Sequence, residues 1–459
     1  MNSRRGSFSW VLAGAMVLST ASAGAQVPPN GSGAVDAPVA NSNVFAPSVP
    51  TGLPSGPTAK NDALTGQEIA LQQLVAIALA RNPGIKSAAE RFQAERSRVP
   101  QVRSLPDPMV SGGWMGNIAP FSVQQGDPSS YRGLIVSQAF PFPGKLGLRG
   151  KIADREAEAG QWEYEQTRRQ VVSDVKTAYY AYFYDNKAIE ITEKNKDLLQ
   201  KLENIAEARY RVGKGIQQDV LRAQIEVARI DQKLIVLQQE EDTARARLNT
   251  LLYRDLESPL PSPTPVKVAD FHDSLEVLYA MAHRNDPGLE RDKRMVESNQ
   301  YAVHLAQKAY KPDFDVAYSY EQRPDMQGMH GVMVGVNIPV FFRSKQREGV
   351  IEASHGLNAA RHELDDRLNE VNFEIKQQYL AATAARNLMN LYSKAIVPQS
   401  SLALESSMSA YEVGKVDFLS MLENFVYVLN YEVGYYQELS NYETALARME
   451  PLVNTDLTE

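Results

Sequence analysis

The spacing of apolar residues changes along the chain from every third or fourth position to every second position, and this change predicts its elements. Two runs alternate most clearly: Phe314, Val316, Tyr318 and Tyr320, then, after a loop, Val332, Val334, Val336 and Ile338. They predict a β-hairpin with one apolar and one polar face. A noisier hairpin of the same layout covers 110–114 and 134–140. The strands are about ten residues long, which is enough to cross a membrane when tilted.

Each hairpin is followed by a long stretch with helical spacing. From about Lys151 to Arg211 there is no Pro and one Gly, so a continuous helix of about 60 residues and about 90 Å is expected. The chain then turns at 212–215 and returns through about Leu252. Apolar residues on both arms follow the 3-4 spacing of a coiled coil. The stretch after the second hairpin repeats this pattern.

The chain contains the same landmarks twice, in the same order. Tyr210-Arg211-Val212-Gly213-Lys214 returns 201 positions later as Tyr411-Glu412-Val413-Gly414-Lys415, and Asn82-Pro83 returns as Asp286-Pro287. This period is far longer than that of a solenoid repeat, so it indicates a duplicated unit of domain size. We expect a signal peptide over 1–25, a Pro/Gly/Ser-rich linker over 26–60, a first repeat over 61–255 and a second over 266–453.

Composition narrows the class of protein. Arg4 and Arg5, an apolar run and Ala23-Gly24-Ala25 have the layout of a secretory signal. The chain of 459 residues has no Cys, which excludes disulfides, thiolate metal sites and a lipid anchor on Cys. A net charge of −7 argues against nucleic acid as a partner. No other stretch is apolar enough for a membrane-spanning helix.

Four strands with an apolar face cannot close a barrel alone, and open edges are not tolerated in lipid. Several copies must therefore share one barrel, and three copies would give about 12 strands around an aqueous lumen. The helical hairpins are too polar for the membrane and would project as a tube. The expected fold is an α+β membrane protein with periplasmic coiled-coil hairpins and four strands per chain in a shared trimeric barrel.

The two Tyr-x-Val-Gly-Lys turns, the Asn-Pro and Asp-Pro breaks and the strand ends Phe140–Lys145 and Ile338–Val340 resemble those of the TolC-type outer-membrane efflux factors. The resemblance covers essentially the whole mature chain. It implies a homotrimer in the outer membrane of a Gram-negative cell, with a large periplasmic part. It also implies a passive exit duct that works with a periplasmic adaptor and an inner-membrane RND-type pump. Residues 140–145 resemble the branch that exports heavy metals, and drugs are the other cargo class.

The resemblance also implies roles for residues at the turns. The tips Val212, Gly213, Lys214, Val413, Gly414 and Lys415 would meet the adaptor. Asp219, Asp417 and Glu423 would form acidic rings at the entrance, and a hydrogen bond from Tyr411 to Asp219 would hold the closed state. The second copy has Ser420 where the family has an Asp, so the ring is weaker there or moves to Glu423, with which Arg222 could pair. The alternative for each acid is a solvated helix face.

Two other classes of protein, an enzyme and a secreted adhesin, compete with the duct. Met326, Met329, His330 and Met333 cluster near the second hairpin loop, where thioether and imidazole suit Cu(I), but ordinary loop and strand packing is the better explanation. We assign no metal site and no cofactor. No nucleophile–base pair or metal triad is visible, so an enzyme is not expected. A secreted trimeric coiled-coil adhesin remains the alternative, although its strands would not normally lie between two helical hairpins.

Overall fold

The computed structural model describes residues 68–117, 122–123, 127 and 129–458. The predicted signal peptide and linker lie outside this part of the chain. The first set of elements is β1 (Glu68–Ile69), α1 (Leu71–Arg81), α2 (Pro83–Arg103), β2 (Met109–Met115), β3 (Tyr131–Phe140), α3 (Lys145–Arg211) and α4 (Gln217–Leu251).

The second set repeats this order. It consists of β4 (Ser262–Pro263), α5 (Leu275–Asn285), α6 (Pro287–Lys308), β5 (Asp313–Gln322), β6 (Met329–Asn337), α7 (Gln346–Leu391), a π-helical turn (Tyr392–Ile396), α8 (Val397–Glu412) and α9 (Phe418–Val453). The predicted fold class, long helical hairpins with four strands per chain, is confirmed. The exact repeat limits stay predictions.

The four long strands form one antiparallel sheet in the order β2-β3-β5-β6. Cross-strand pairing places Val110, Val136, Tyr318 and Val332 in one row. The neighbouring row on the opposite face contains Met109, Ser137, Ala317 and Met333. The apolar face is uncovered, with Val332 73% and Val334 66% exposed. Among the described residues, β2 and β6 each have one partner strand, so both edges of the sheet are free.

The Asn-Pro and Asp-Pro pairs separate two short helices in each repeat by the same device. Asn82 Oδ1 accepts hydrogen bonds from the backbone N–H groups of Gly84 (2.8 Å) and Ile85 (3.3 Å). Asp286 Oδ1 accepts one from Leu289 N at 2.7 Å. The following Pro occupies the first helical position, where its missing N–H costs nothing. The sequence therefore ends one helix and caps the next at the same residue.

The helices α3, α4, α8 and α9 share an apolar core. Helix α3 has 67 residues and is therefore about 100 Å long. Buried residues at its seam with the other helices include Leu199, Leu202, Ala206, Ile230, Leu234, Leu237, Leu404, Met421 and Phe425. Each buried Leu or Phe contributes about 1.5–3 kcal/mol. Among the described helices, none has an apolar stretch long enough to cross a bilayer.

The second hairpin is not a simple copy of the first, because its outgoing arm is interrupted. A π-helical turn at Tyr392–Ile396 joins α7 to α8, and Pro398 follows it. Pro removes a backbone donor and its ring clashes with the carbonyl of the preceding turn, so a wider turn relieves the conflict. The Tyr392 ring lies 3.3 Å from where a Cβ on Gly434 would stand. A side chain at position 434 would therefore crowd this turn.

The C-terminal residues are tied to the first repeat by Lys176, which is 6% exposed in its side chain. Its ammonium donates to Glu450 Oε1 (2.9 Å), Asp456 Oδ1 (2.9 Å) and Thr458 Oγ1 (2.8 Å). Burial lowers the pKa of Lys176, but Glu450 and Asp456 outweigh it and raise the pKa above its ordinary value. The parallel pairing of β1 with β4 is a second link between the repeats. Neither link was predicted.

Candidate functional site

The two turns between the long helices are matched in geometry. In the first, Gly213 N donates to Tyr210 O and Lys214 N to Arg209 O; in the second, Gly414 N donates to Tyr411 O and Lys415 N to Ala410 O. These are the two bonds of a Schellman helix end. Gly213 and Gly414 have φ of 70° and 77°, a left-handed conformation that Gly adopts without a Cβ clash. Val212 and Val413, the residues before these glycines, are 67% and 69% exposed.

Arg209, near the end of α3, joins the first tip to the second. Its guanidinium donates to the carbonyl oxygens of Tyr411, Glu412 (2.9 Å) and Lys214 (3.3 Å). The Tyr411 and Glu412 carbonyls belong to the last turn of α8, where backbone acceptors lack helical partners and a cation is favourable. The residue 201 positions later is Ala410, so the clamp exists once per chain. Sequence reasoning missed Arg209, although this difference between the two copies was visible.

Tyr411 is buried between the two hairpins, but the predicted hydrogen bond to Asp219 is not formed. Its ring packs edge-on against Phe418 at 5.5 Å, and the Arg209 guanidinium lies 4.7 Å from the ring centroid. The hydroxyl is buried and has no hydrogen-bond partner in the described chain. Burial, and then the charge of Asp219, raise the pKa of Tyr411. In this structure the ring, and not the hydroxyl, holds the tip.

Two acids, one from each hairpin, share the space behind the tips. Asp219 lies in the first turn of α4, and Asp417 is the residue before α9. Partial burial raises the pKa of Asp219, Arg222 and Arg209 act against this shift, and Asp417 adds to it. Ser420, at the position where the family has an acid, donates to Asp417 Oδ1 at 2.5 Å. The acid of the second hairpin next to Asp219 is therefore Asp417.

Glu423 and Arg222 are not brought together within one chain. Glu423 is exposed on α9 and makes no hydrogen bond or ion pair with the described residues. The charge of Arg222 acts on Asp219 instead. The predicted pairing of Arg222 with Glu423 is thus absent, because the second hairpin presents Asp417 nearer to the first. The roles of these residues at an entrance stay predictions.

The Met and His residues of the second sheet hairpin do not converge. In β6, Met329 and Met333 lie on one face, whereas His330 lies on the other, opposite Tyr320. His330 Nδ1 is 2.6 Å from the Tyr318 hydroxyl. No group of three or more His, Asp or Glu residues is arranged to hold a metal ion in the described part of the chain. The strand alternation explains why neighbours in sequence are separated in space.

The segment between β3 and α3 fastens the sheet to the helices. Gly144, the residue before α3, has a φ of 90°, a conformation that Gly adopts without strain. Lys145 Nζ donates to Lys311 O at 2.9 Å and to Asp313 Oδ1 at 2.8 Å. Asp313 also accepts from Phe142 N at 2.6 Å. This junction connects the first repeat to the start of β5 and fixes the direction of the strands relative to the helices.

Residues 74–252 match the sequence profile of a family described as outer membrane efflux protein. This match covers most of the first repeat. It supports the predicted outer-membrane location. A comparison with curated proteins gives no match.

The described fold is similar to solved outer-membrane channels over most of its length. The outer-membrane channel OprN superposes with a TM-score of 0.73 at 18% identity, covering 85% of this chain and 91% of that one. VceC of Vibrio cholerae superposes with a TM-score of 0.73 at 16% identity, covering 84% of this chain and 96% of VceC. CusC, whose structures were solved in a study of folding and transmembrane channel formation, superposes with a TM-score of 0.72 at 15% identity. The superposition covers 83% of this chain and 91% of CusC. These likenesses establish the fold.

Proposed function

We propose that three copies of this chain, which matches the outer membrane efflux protein family over residues 74–252, form the exit duct of a tripartite efflux system. The duct would cross the outer membrane of a Gram-negative cell and extend into the periplasm. The partners would be a periplasmic adaptor, an inner-membrane RND-type pump and outer-membrane lipid. The chain itself would provide a passage and no chemistry.

The sheet carries this proposal. Its apolar face is exposed, and its edge strands β2 and β6 each lack a second partner among the described residues. An apolar face in water and two open edges are both unfavourable for a monomer. Lipid covers the face, and neighbouring copies pair with the edges, if strands from several chains close one barrel. Three chains of four strands give about 12 strands, an even number typical of such barrels.

The helical hairpins would form the periplasmic part, with their tips at the mouth. Asp219 and Asp417 would recur three times around the entrance, together with Glu423 on the exposed side of α9. Rings of acids attract cations and slow the passage of anions. Arg209 and the Tyr411 ring would hold the two tips of each chain together in the closed state.

We infer heavy-metal ions as the cargo class, with drugs as the alternative. The support is the resemblance of residues 140–145 to the heavy-metal branch, because a duct itself selects weakly. The identity of the adaptor decides between the two classes. An adaptor that belongs to a drug pump contradicts a metal cargo.

The adaptor would dock on the exposed tips, and cross-linking in intact cells tests this. Because the chain has no Cys, Val212→Cys or Val413→Cys gives a single reactive site. We expect a thiol-reactive photo-cross-linker at either position to capture a periplasmic adaptor, identified by mass spectrometry. The control is Val268→Cys, which is 47% exposed between β4 and α5. Capture of the adaptor equally from position 268, or from neither tip, contradicts docking at the tips.

A further inference from the structure

A recess of about 520 Å³ lies where the sheet meets the helices, at the ends of β5 and β6. Four cationic residues line it: Lys145 and Arg149 of α3, Lys311 before β5, and Lys345 before α7. Its apolar lining includes Leu305, Ile338, Val340 and Phe341. The recess therefore offers positive charge directly beside apolar surface.

Hydrogen bonds and strand pairing hold the segments of the recess together. Lys145 Nζ donates to Lys311 O at 2.9 Å and to Asp313 Oδ1 at 2.8 Å. Strand β5 begins at Asp313 and pairs there with the end of β6. Lys345 N donates to Phe341 O at 3.0 Å, so the segment after β6 makes a turn before α7 begins. The recess is thus built from parts of both repeats.

The cations of the recess outnumber its acids. Asp313 is the one acid in the lining, and it forms an ion pair with Lys145 at 2.8 Å. The charge of Arg149 also acts on this carboxylate. Lys311 and Lys345 make no ion pair with the residues that the structure describes. Their two charges are therefore available for a ligand.

The chain around the recess is strongly basic. Residues 140–151, 301–312 and 338–347 meet at this junction and together contain eight Lys or Arg and no Asp or Glu. Four of these eight cations line the recess. The chain as a whole has a net charge of −7. A local positive patch on an acidic protein favours a negatively charged ligand.

The apolar part of the recess continues the apolar face of the sheet. Ile338 extends the alternation of Val334 and Val336 beyond the end of β6. Val340 and Phe341 follow it and are 66% and 74% exposed. Exposed side chains of this size are unfavourable in an aqueous lumen. The recess therefore opens towards the side of the sheet that lipid would cover.

One polar group in the lining lacks a hydrogen-bond partner. The side-chain oxygen of Gln346, the first residue of α7, is buried and accepts no hydrogen bond within the described chain. An acceptor left unpaired in this way costs free energy. An ionised phosphate has no proton to donate, whereas a hydroxyl group does. The lining thus favours a ligand that carries a hydroxyl as well as a negative charge.

We propose that this recess binds an anionic phospholipid with a hydroxyl-bearing headgroup, namely phosphatidylglycerol. The phosphate would lie against Lys311 and Lys345, the headgroup hydroxyl against Gln346, and the first acyl carbons against Val340 and Phe341. Basic pockets at the edge of the apolar region of a membrane bind lipid headgroups in this way. The inference rests on the proposed function in placing the sheet in a bilayer, and it adds one lipid site per chain at the periplasmic edge.

Native mass spectrometry of the full chain, extracted with detergent and freed of lipid, tests the site. We expect saturable binding of one phosphatidylglycerol per chain, at least tenfold tighter than that of phosphatidylcholine with the same acyl chains. Lys311→Gln combined with Lys345→Gln should weaken it at least tenfold, since each cation near a lipid surface contributes about fivefold. The matched control, Lys214→Gln with Lys415→Gln, removes two charges at the tips and leaves the affinity unchanged.

Further measurements separate a lipid site from a site for any small anion. Glycerol phosphate at the same concentration should not displace the lipid, because it has no acyl chain. Phe341→Ser and Gln346→Leu should each weaken phosphatidylglycerol binding several-fold. Thermal melts followed by circular dichroism should give the same midpoint for these variants as for the wild type, so that lost binding is distinguished from unfolding.

The possible failures of this proposal and of the proposed duct differ. Equal affinity for the two lipids, displacement by glycerol phosphate, or an equal loss of affinity in the control at the tips overturns the lipid site. If the extracted particle still contains three chains, each of these results leaves the duct in place. A chain recovered as a soluble monomer overturns both proposals.

Discussion

Replacement of Arg209 by Ala is expected to raise the conductance of the protein in planar bilayers several-fold. The change removes charge-assisted bonds to Tyr411 O, Glu412 O and Lys214 O and the cation over the Tyr411 ring. A net loss of about 2 kcal/mol of coupling between the tips shifts the closed-to-open equilibrium about 30-fold. The two hairpins of each chain then separate at the mouth more often.

Three further variants make this test specific. Arg211→Ala should leave the conductance unchanged, because the Arg211 side chain is 71% exposed and, among the described residues, pairs only with Glu207 of its own helix. Arg209→Lys should be intermediate, since an ammonium lacks the planar fork that reaches several carbonyls. Tyr411→Phe should have little effect, because the hydroxyl makes no hydrogen bond with the part of the chain that the structure describes. A conductance of Arg209→Ala equal to that of Arg211→Ala, or a rise in Tyr411→Phe as large as in Arg209→Ala, contradicts this account.

Replacement of Val334 by Lys is expected to remove most of the protein from the outer-membrane fraction. Val334 is 66% exposed and pairs with Val316 on the apolar face of the sheet. A Lys facing lipid near the bilayer midplane costs about 2–4 kcal/mol in each chain. Three copies would multiply this cost in one barrel, so insertion should fail well before the helices lose their fold.

The adjacent residue is a close control. Met333 is 57% exposed and pairs with Ala317 on the opposite face, which would line the aqueous lumen. Met333→Lys should insert like the wild type, since lumen positions tolerate charge. The measurement is the amount of urea-resistant protein in the outer-membrane fraction of a density gradient. Equal amounts of urea-resistant protein for Val334→Lys and Met333→Lys would contradict the prediction, because an ordinary soluble sheet would tolerate Lys at both positions.

Much of the fold could be predicted because its signals are local in the chain. The alternation of Val332, Val334 and Val336 with Met333, Gly335 and Asn337 predicted the position of β6 to within a few residues. The two Gly residues at the tips and the two X-Pro breaks fixed turns and caps through the conformation of single residues. Each of these signals depends on residues that are close together in the chain, so a single sequence is enough to detect it.

The contacts that complete the site are distant in sequence, and for this reason they were missed. Arg209 bonds to a carbonyl 202 residues away, and Lys176 to a carboxylate 274 residues away. A single Arg or Lys on a long polar helix resembles any solvated charge until its neighbours are known. The π-helical turn at Tyr392–Ile396 had a local signal, Pro398, within an otherwise helical stretch. The closeness of Asp219 to Asp417 depends on how the two hairpins pack.

The mass of the complex extracted from the outer membrane with detergent tests the central claim most directly. Light scattering coupled to size-exclusion chromatography, corrected for detergent, should give three chains per particle, and boiling should reduce it to one chain. A particle with three chains is what a shared barrel requires of a sheet with two free edges. A single chain per particle, or protein recovered from the soluble fraction without detergent, would contradict the account.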